Sequence, residues 1–182
     1  MCVDPGLGNV GVSIFEVQTR TGLIESIDIE SFCTDKLYPR YGLDMDYTAE
    51  RHIRLRKIRD RFYDIAMEYR PSYFIHESPF YNPRRPNAYA ALVEALSQMR
   101  EGVLEANRYT YIEPISPQAV KKGVGAGGSK GKEIMMERVF QISEMMDVLN
   151  YDRDELTEHC IDSMAVGWTG IRTVIRHQEG WL

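Results

Sequence analysis

The sequence predicts an α/β domain built on one mixed, five-stranded sheet with helices on both faces. Three observations carry that expectation. Residues 10–32 read as a hairpin: Val12-Ser13-Ile14-Phe15-Glu16-Val17 alternates apolar and polar side chains, Leu23 to Phe32 does the same, and Thr19-Arg20-Thr21-Gly22 supplies the turn. Two short aromatic and branched runs, Ser72-Tyr73-Phe74-Ile75-His76 and Tyr109 to Ile115, have the length of buried strands. Between and after those runs, apolar residues recur at helical spacing.

In chain order, Met1 to Asp4 forms the end of a short first strand, turned by Pro5-Gly6-Leu7-Gly8-Asn9. After the hairpin, residues 48–69 read as a helix with Thr48 as cap and Ile53, Ile58, Phe62, Ile65 and Ala66 on its apolar side. The strand from Ser72 ends at Glu77, and Ser78 to Pro86 is a proline-rich loop. Asn87 can cap a helix reaching Ala106, with Ala91, Leu92, Ala95, Leu96, Met99 and Val103 facing inward. Ser116-Pro117 is a helix start, a serine cap with proline in the first turn. The run Gly123-Val124-Gly125-Ala126-Gly127-Gly128 cannot hold a regular helix. Helical spacing resumes from Lys132 to Met146, and a last helix spans Asp154 to Ile175. No repeat, low-complexity tract or linker interrupts the chain, so one domain over residues 1–182 is expected.

No stretch approaches the run of about 20 apolar residues that spans a bilayer. Asp4 and Pro5 arrive with no basic or apolar signal region before them. Cys2, Cys33 and Cys160 lack zinc spacing and are odd in number. A reduced protein of the cytoplasm, without a membrane partner, is the expectation. The net charge of -5 argues against a polyanion partner only as a total. Residues 51–70 carry seven Lys and Arg against three acids, and residues 121–138 carry five against two. A nucleic-acid binder needs a basic face, although the first stretch also reads as an ordinary solvated helix face.

Three acids invite a common role. Asp4 stands where the first strand meets its turn, and Glu77 ends a buried strand. Asp162 shares a helix face with His159 and Glu158. If the first and fourth strands are neighbours, Asp4 and Glu77 meet at one end of the sheet and the last helix lays Asp162 over them. Clustered carboxylates repel unless protonated or bridged by a cation. Magnesium takes such oxygen donors, and two ions roughly 4 Å apart activate a water and stabilise a leaving phosphodiester oxygen. Zinc would favour His and Cys, and the adjacent His159 and Cys160 cannot form a tetrahedral set alone.

Four motifs, in order and covering nearly the whole chain, resemble the RuvC family of Holliday junction resolvases. They are Asp4-Pro5-Gly6 followed by Gly8 and Gly11-Val12; Phe74-Ile75-His76-Glu77-Ser78-Pro79-Phe80; Gln118-Ala119-Val120-Lys121-Lys122-Gly123-Val124-Gly125 with Gly127 and Lys132; and His159-Cys160-Ile161-Asp162-Ser163-Met164-Ala165. The resemblance implies an RNase H-like fold and an endonuclease that resolves four-way or other branched DNA with two Mg2+ ions, Mn2+ being able to substitute. It implies Asp4, Glu77, His159 and Asp162 as metal ligands, with Glu158 competing with His159 for the fourth place. Lys121 and Lys132 would neutralise phosphate near the scissile bond, Lys122 and Lys130 being rival assignments. Phe80 would be the aromatic that stacks on bases at the junction centre, the alternative being a loop phenylalanine tucked into the core. The resemblance also implies a homodimer, since a four-way junction has two-fold symmetry, and the small residues Ala88, Ala90, Ala91 and Ala95 mark a candidate interface. The basic stretch from Lys36 to Arg70 has no clear counterpart in the family and points to a phage-borne or otherwise atypical member. The competing functions are an RNase H-like nuclease on RNA–DNA hybrid or flaps, and a junction-binding protein without catalysis. An actin-like ATPase would need a second, related half.

Overall fold

The computed structural model describes residues 1–6, 8–36, 50–128 and 132–180. Five strands form one sheet: β1 (Cys2–Asp4), β2 (Asn9–Val17), β3 (Ile24–Cys33), β4 (Tyr73–Glu77) and β5 (Tyr111–Ile115), in the order β3-β2-β1-β4-β5. The first three are antiparallel, while β4 runs parallel to β1 and β5 parallel to β4. The sheet is therefore mixed, and the β1–β4 pairing is the one the acidic cluster requires. Val3 stands opposite His76 in that pairing, so Asp4 and Glu77 are the next residues of two neighbouring parallel strands.

Side chains alternate between the two faces of a strand. Val3, Val10, Val12, Ile14 and Phe74 lie on one face, packed with Ile58, Phe62 and Ile65 of α1 (Glu50–Tyr69) and with Ala95, Leu96, Met99 and Val103 of α2 (Pro86–Ala106). Cys2, Ile75 and Ile115 lie on the other, packed with residues of α3 (Pro117–Gly123), α4 (Lys132–Phe140), α5 (Ser143–Met146) and α6 (Glu158–Gly170). Asp4 shares the parity of Cys2, and Glu77 that of Ile75. Both carboxylates thus belong to the α6 face, with helices on both sides of the sheet as expected. The chain leaves α6 through a π-helical turn, Ile171–Ile175, and a last helical turn, Arg176–Glu179. No helix among the described residues is long and apolar enough to cross a membrane.

Element boundaries differ from the sequence expectations in four places. Pro86 opens α2, where its fixed φ suits the first helical position and its missing N–H is no loss, so Asn87 lies inside the first turn and caps nothing. Residues 132–146 break in two because Ile142 turns extended and packs on the core that Val139 and Met145 fill. The last helix begins at Glu158, after a 3-10 turn at Arg153–Glu155; Thr157 is extended and its hydroxyl accepts the Cys160 N–H, which makes it the cap. Strand β5 starts at Tyr111 because Asn107 to Thr110 closes a turn. The expected cap Thr48 lies outside the described residues.

Candidate active site

The position of α6 is fixed by a repeating match with β2. The Gly11, Ser13 and Phe15 side-chain positions face α6 at His159, Ser163 and Gly167. A Cβ on Gly11 would stand 1.9 Å from the His159 carbonyl oxygen, and one on Gly167 would stand 2.1 Å from the Phe15 ring. Between them, the Ser13 hydroxyl donates to the Ser163 carbonyl at 2.9 Å. Two residues along a strand cover about 6.6 Å and four along a helix about 6 Å, so the two ladders stay in step. Glycine alternating with larger residues on the two elements lets the helix lie directly on the strand. Gly11 pairs with Asp4 across the β1–β2 ladder, so this contact brings the first turn of α6 beside Asp4.

At that point His159 Nδ1 meets Asp4 Oδ2 at 2.9 Å, joining the first strand to the last helix across most of the chain. Asp4 is well sheltered, with 19% of its side chain exposed, and His159 is more open at 37%. Nδ1 is engaged by Asp4, which leaves Nε2 as the ring nitrogen available to a ligand. Successive helical residues are rotated by about 100°, so Asp162 lies roughly 60° from His159 and roughly 40° from Glu158. It can serve both sides. Glu158 itself is exposed and lines a shallow depression with Glu133, Met136, Leu156, Ile161 and Asp162, on the side towards α4.

Glu77 records how closely these charges approach. Burial, followed by the negative charges of Asp4 and Asp162, raises its pKa from 4.5 to about 7, against a lowering influence of Lys121. Lys121 reaches the site because α3 is docked tightly on α6. Gly123 lies so close to Thr169 that a Cβ there would fall 2.2 Å from the Thr169 hydroxyl. The glycine-rich segment after α3 is anchored by the buried Val124 and Ala126, with Ala126 N–H donating to the Lys121 carbonyl at 2.8 Å. Lys122 is exposed in the last turn of α3. Lys130, and the side chain of Lys132 at the start of α4, lie outside the described residues.

Phe80 is 71% exposed and is not tucked into the core. Beside it Tyr81, also exposed, packs edge-on against Tyr89 at 5.4 Å, tying the loop to the first turn of α2. Exposed Arg84 and Arg85 follow, with Asn82 accepting both backbone N–H groups. Sequence reasoning missed this basic edge of the loop, though the pair Arg84-Arg85 after an aromatic pair was a visible signal. Conversely, the arginines of residues 51–70 are largely matched by acids. Arg51 pairs with Glu94 at 2.7 Å, Arg59 with Glu105 at 3.5 Å, Arg54 with Glu50, and Arg61 with Glu30. On α1 the solvated helix face is the better description. Among the described residues, no three His, Cys, Asp or Glu side chains enclose a metal-sized space as they stand.

The sequence matches no protein-family model and no curated protein. Solved structures do match. Thermus thermophilus RuvC superimposes with a TM-score of 0.67 at 19% identity, over 98% of this chain and 95% of that one. The chain has the RuvC fold. A second T. thermophilus RuvC structure, in complex with a Holliday junction substrate, gives a TM-score of 0.64 at 16% identity over 98% and 94%. The yeast mitochondrial Holliday junction resolvase Ydc2 gives 0.59 at 12% identity over 98% and 82%. The RNase H-like α/β fold that the four motifs implied is therefore the fold found. In RuvC terms the likeness runs almost end to end on both chains, and at these identities it is a likeness of fold.

Proposed function

We propose that this protein is a structure-selective endonuclease that nicks four-way or related branched DNA, using divalent cations held by Asp4, Glu77 and Asp162. The observation that carries this reading is the convergence of Asp4, Glu77, His159 and Asp162, drawn from three elements, at one end of the sheet. The donor set suits such ions: three hard carboxylates, one of them driven towards neutrality by burial and then by the charges of the other two. Magnesium or manganese ions bound there would lower the pKa of a water and stabilise the leaving oxygen of a phosphodiester. The His159 ring already lies against Asp4 through Nδ1, whereas Glu158 lines the depression towards α4, which favours His159 over Glu158 as the fourth ligand. Lys121, whose charge already acts on Glu77, would neutralise the scissile phosphate, with Lys122 in the same turn of α3 and, as rival assignments, Lys130 and Lys132. Phe80 would stack on an unpaired base, a contact worth about 1–3 kcal/mol, while Arg84 and Arg85 meet phosphates on either side.

The neighbours whose descriptions name a Holliday junction support that substrate over an RNA–DNA hybrid. A junction has two-fold symmetry, so a homodimer would give paired nicks. Ala95 belongs to the core against α1, which leaves Ala88, Ala90 and the exposed Val93 as the part of α2 open to a second copy. Action on cellular or phage DNA would place the protein in the bacterial or host cytoplasm. The test is substitution at the acids: Asp4→Asn and Asp162→Asn abolish magnesium-dependent nicking of a labelled junction while junction binding without metal is retained. Near-normal nicking by either variant would remove the proposed site.

A further inference from the structure

Behind Glu77, on the opposite face of β4, lies a polar group that the chemistry above leaves unused. His76 is fully buried, its ring 5.7 Å from that of Phe74. A buried imidazole needs a partner at each nitrogen. Nε2 meets the Arg100 guanidinium, from α2, at 2.6 Å from Nη2 and 3.2 Å from Nε. Nδ1 lies 2.9 Å from the carbonyl oxygen of Glu77. Arginine stays protonated and offers donors only, so Nε2 must accept. The ring proton therefore sits on Nδ1 and is donated to the Glu77 carbonyl. The ring is neutral in this arrangement, because a protonated ring would set an Nε2–H against the Arg100 N–H donors.

The other side of the same peptide is held as well, because the Ser78 N–H donates to the Ile115 carbonyl at 2.8 Å. The peptide joining Glu77 to Ser78 is thus fixed at its oxygen and at its nitrogen, where β4 gives way to the loop carrying Phe80. Arg100 sits in the C-terminal half of α2, the helix that follows that loop, so its bond to His76 ties the body of α2 to the end of β4.

We propose that His76 and Arg100 are positioning residues: Arg100 sets the His76 tautomer, and His76 sets the peptide plane from which the Glu77 carboxylate and the Phe80 loop both depart. Its activity arm rests on the nuclease reading; its structural arm does not. In the structural arm, nitrogen NMR of the wild-type protein is expected to find the His76 proton on Nδ1, with Nε2 bare. A proton on Nε2 overturns the proposal whatever the protein cleaves. In the activity arm, Arg100→Ala is expected to lower kcat for junction nicking on the order of 10–100-fold, as misplacement of a reacting group does, with junction binding unchanged in the absence of metal. Millimolar guanidinium is expected to restore part of that loss, a rescue that a merely destabilised fold would not show. Arg100→Lys, which keeps the charge but not the fork, is expected to fall between the two and carries this arm if the alanine variant does not fold. Wild-type kcat in Arg100→Ala, or in Arg100→Lys where that variant alone folds, overturns the proposal. Absence of nicking by the wild-type protein instead overturns the nuclease reading and leaves the tautomer test standing.

Discussion

Glu77→Gln should make the metal-free protein more stable while removing its activity. The folded pKa of Glu77, about 7, lies above its ordinary 4.5, so the folded chain holds this proton more tightly than the unfolded one. The stability it lends is fully present below pH 4.5 and is lost as pH rises through 7. That interval corresponds to about 3 kcal/mol as an upper value, reduced by whatever water reaches the partly sheltered carboxyl. Gln keeps the shape and carries no charge at any pH, so the variant lacks this loss. Urea unfolding in a chelator from pH 4 to pH 8.5 measures the difference. The two proteins should agree near pH 4.5 and diverge steadily to pH 7, the variant ending the more stable by about 1–3 kcal/mol. Added magnesium should then raise the stability of the wild-type protein at pH 8 and leave the variant far less changed. Parallel curves for the two proteins across this range would show that Asp4, Asp162 and burial do not act on Glu77 as described.

Gly11→Ala should push α6 off the sheet, because its methyl would meet the backbone of His159, not a side chain that can turn away. Overpacking of this kind costs about 1–3 kcal/mol in urea unfolding, and nicking should fall far more than that loss explains, since His159 and Asp162 ride on the displaced turn. Wild-type activity in a folded Gly11→Ala protein would contradict the β2–α6 register. Lys121→Ala should lower the nicking rate and raise the Glu77 pKa further, moving the pH–rate profile upward; a profile identical to wild type would pass the phosphate role to Lys122, Lys130 or Lys132.

The strands and the two acids at their ends were legible because each rests on local pattern: alternation in the hairpin, short buried runs, and acids at strand ends. That β1 lies beside β4 entered only as a condition, since a pairing between strands so far apart in the chain leaves no local signal. The third acid was legible because His159 and Asp162 share a helix face. What escaped notice depends on partners distant in sequence. Nothing near Arg51, Arg59 or Arg61 announces that Glu94, Glu105 and Glu30 will face them, so α1 looked more basic than it is. The bond from Arg100 to His76 spans α2 and a loop and leaves no spacing signal. The last helix starts after Thr157 and not at the expected Asp154, because the backbone at Thr157 is extended and its hydroxyl caps the helix. Gly11 was readable as a glycine inside a strand, a mark of close backbone approach, but not as the seat of His159.

The Asp4–Glu77–Asp162 cluster is proposed to cut branched DNA with divalent cations. Its most direct test is incubation of the protein with an end-labelled four-way junction, a flap and an RNA–DNA hybrid, each with magnesium and with chelator. Symmetric nicks are expected in the junction, dependent on magnesium or manganese and much weaker on the hybrid. An intact junction under every condition, or hybrid cleavage equal to that of the junction, would contradict it.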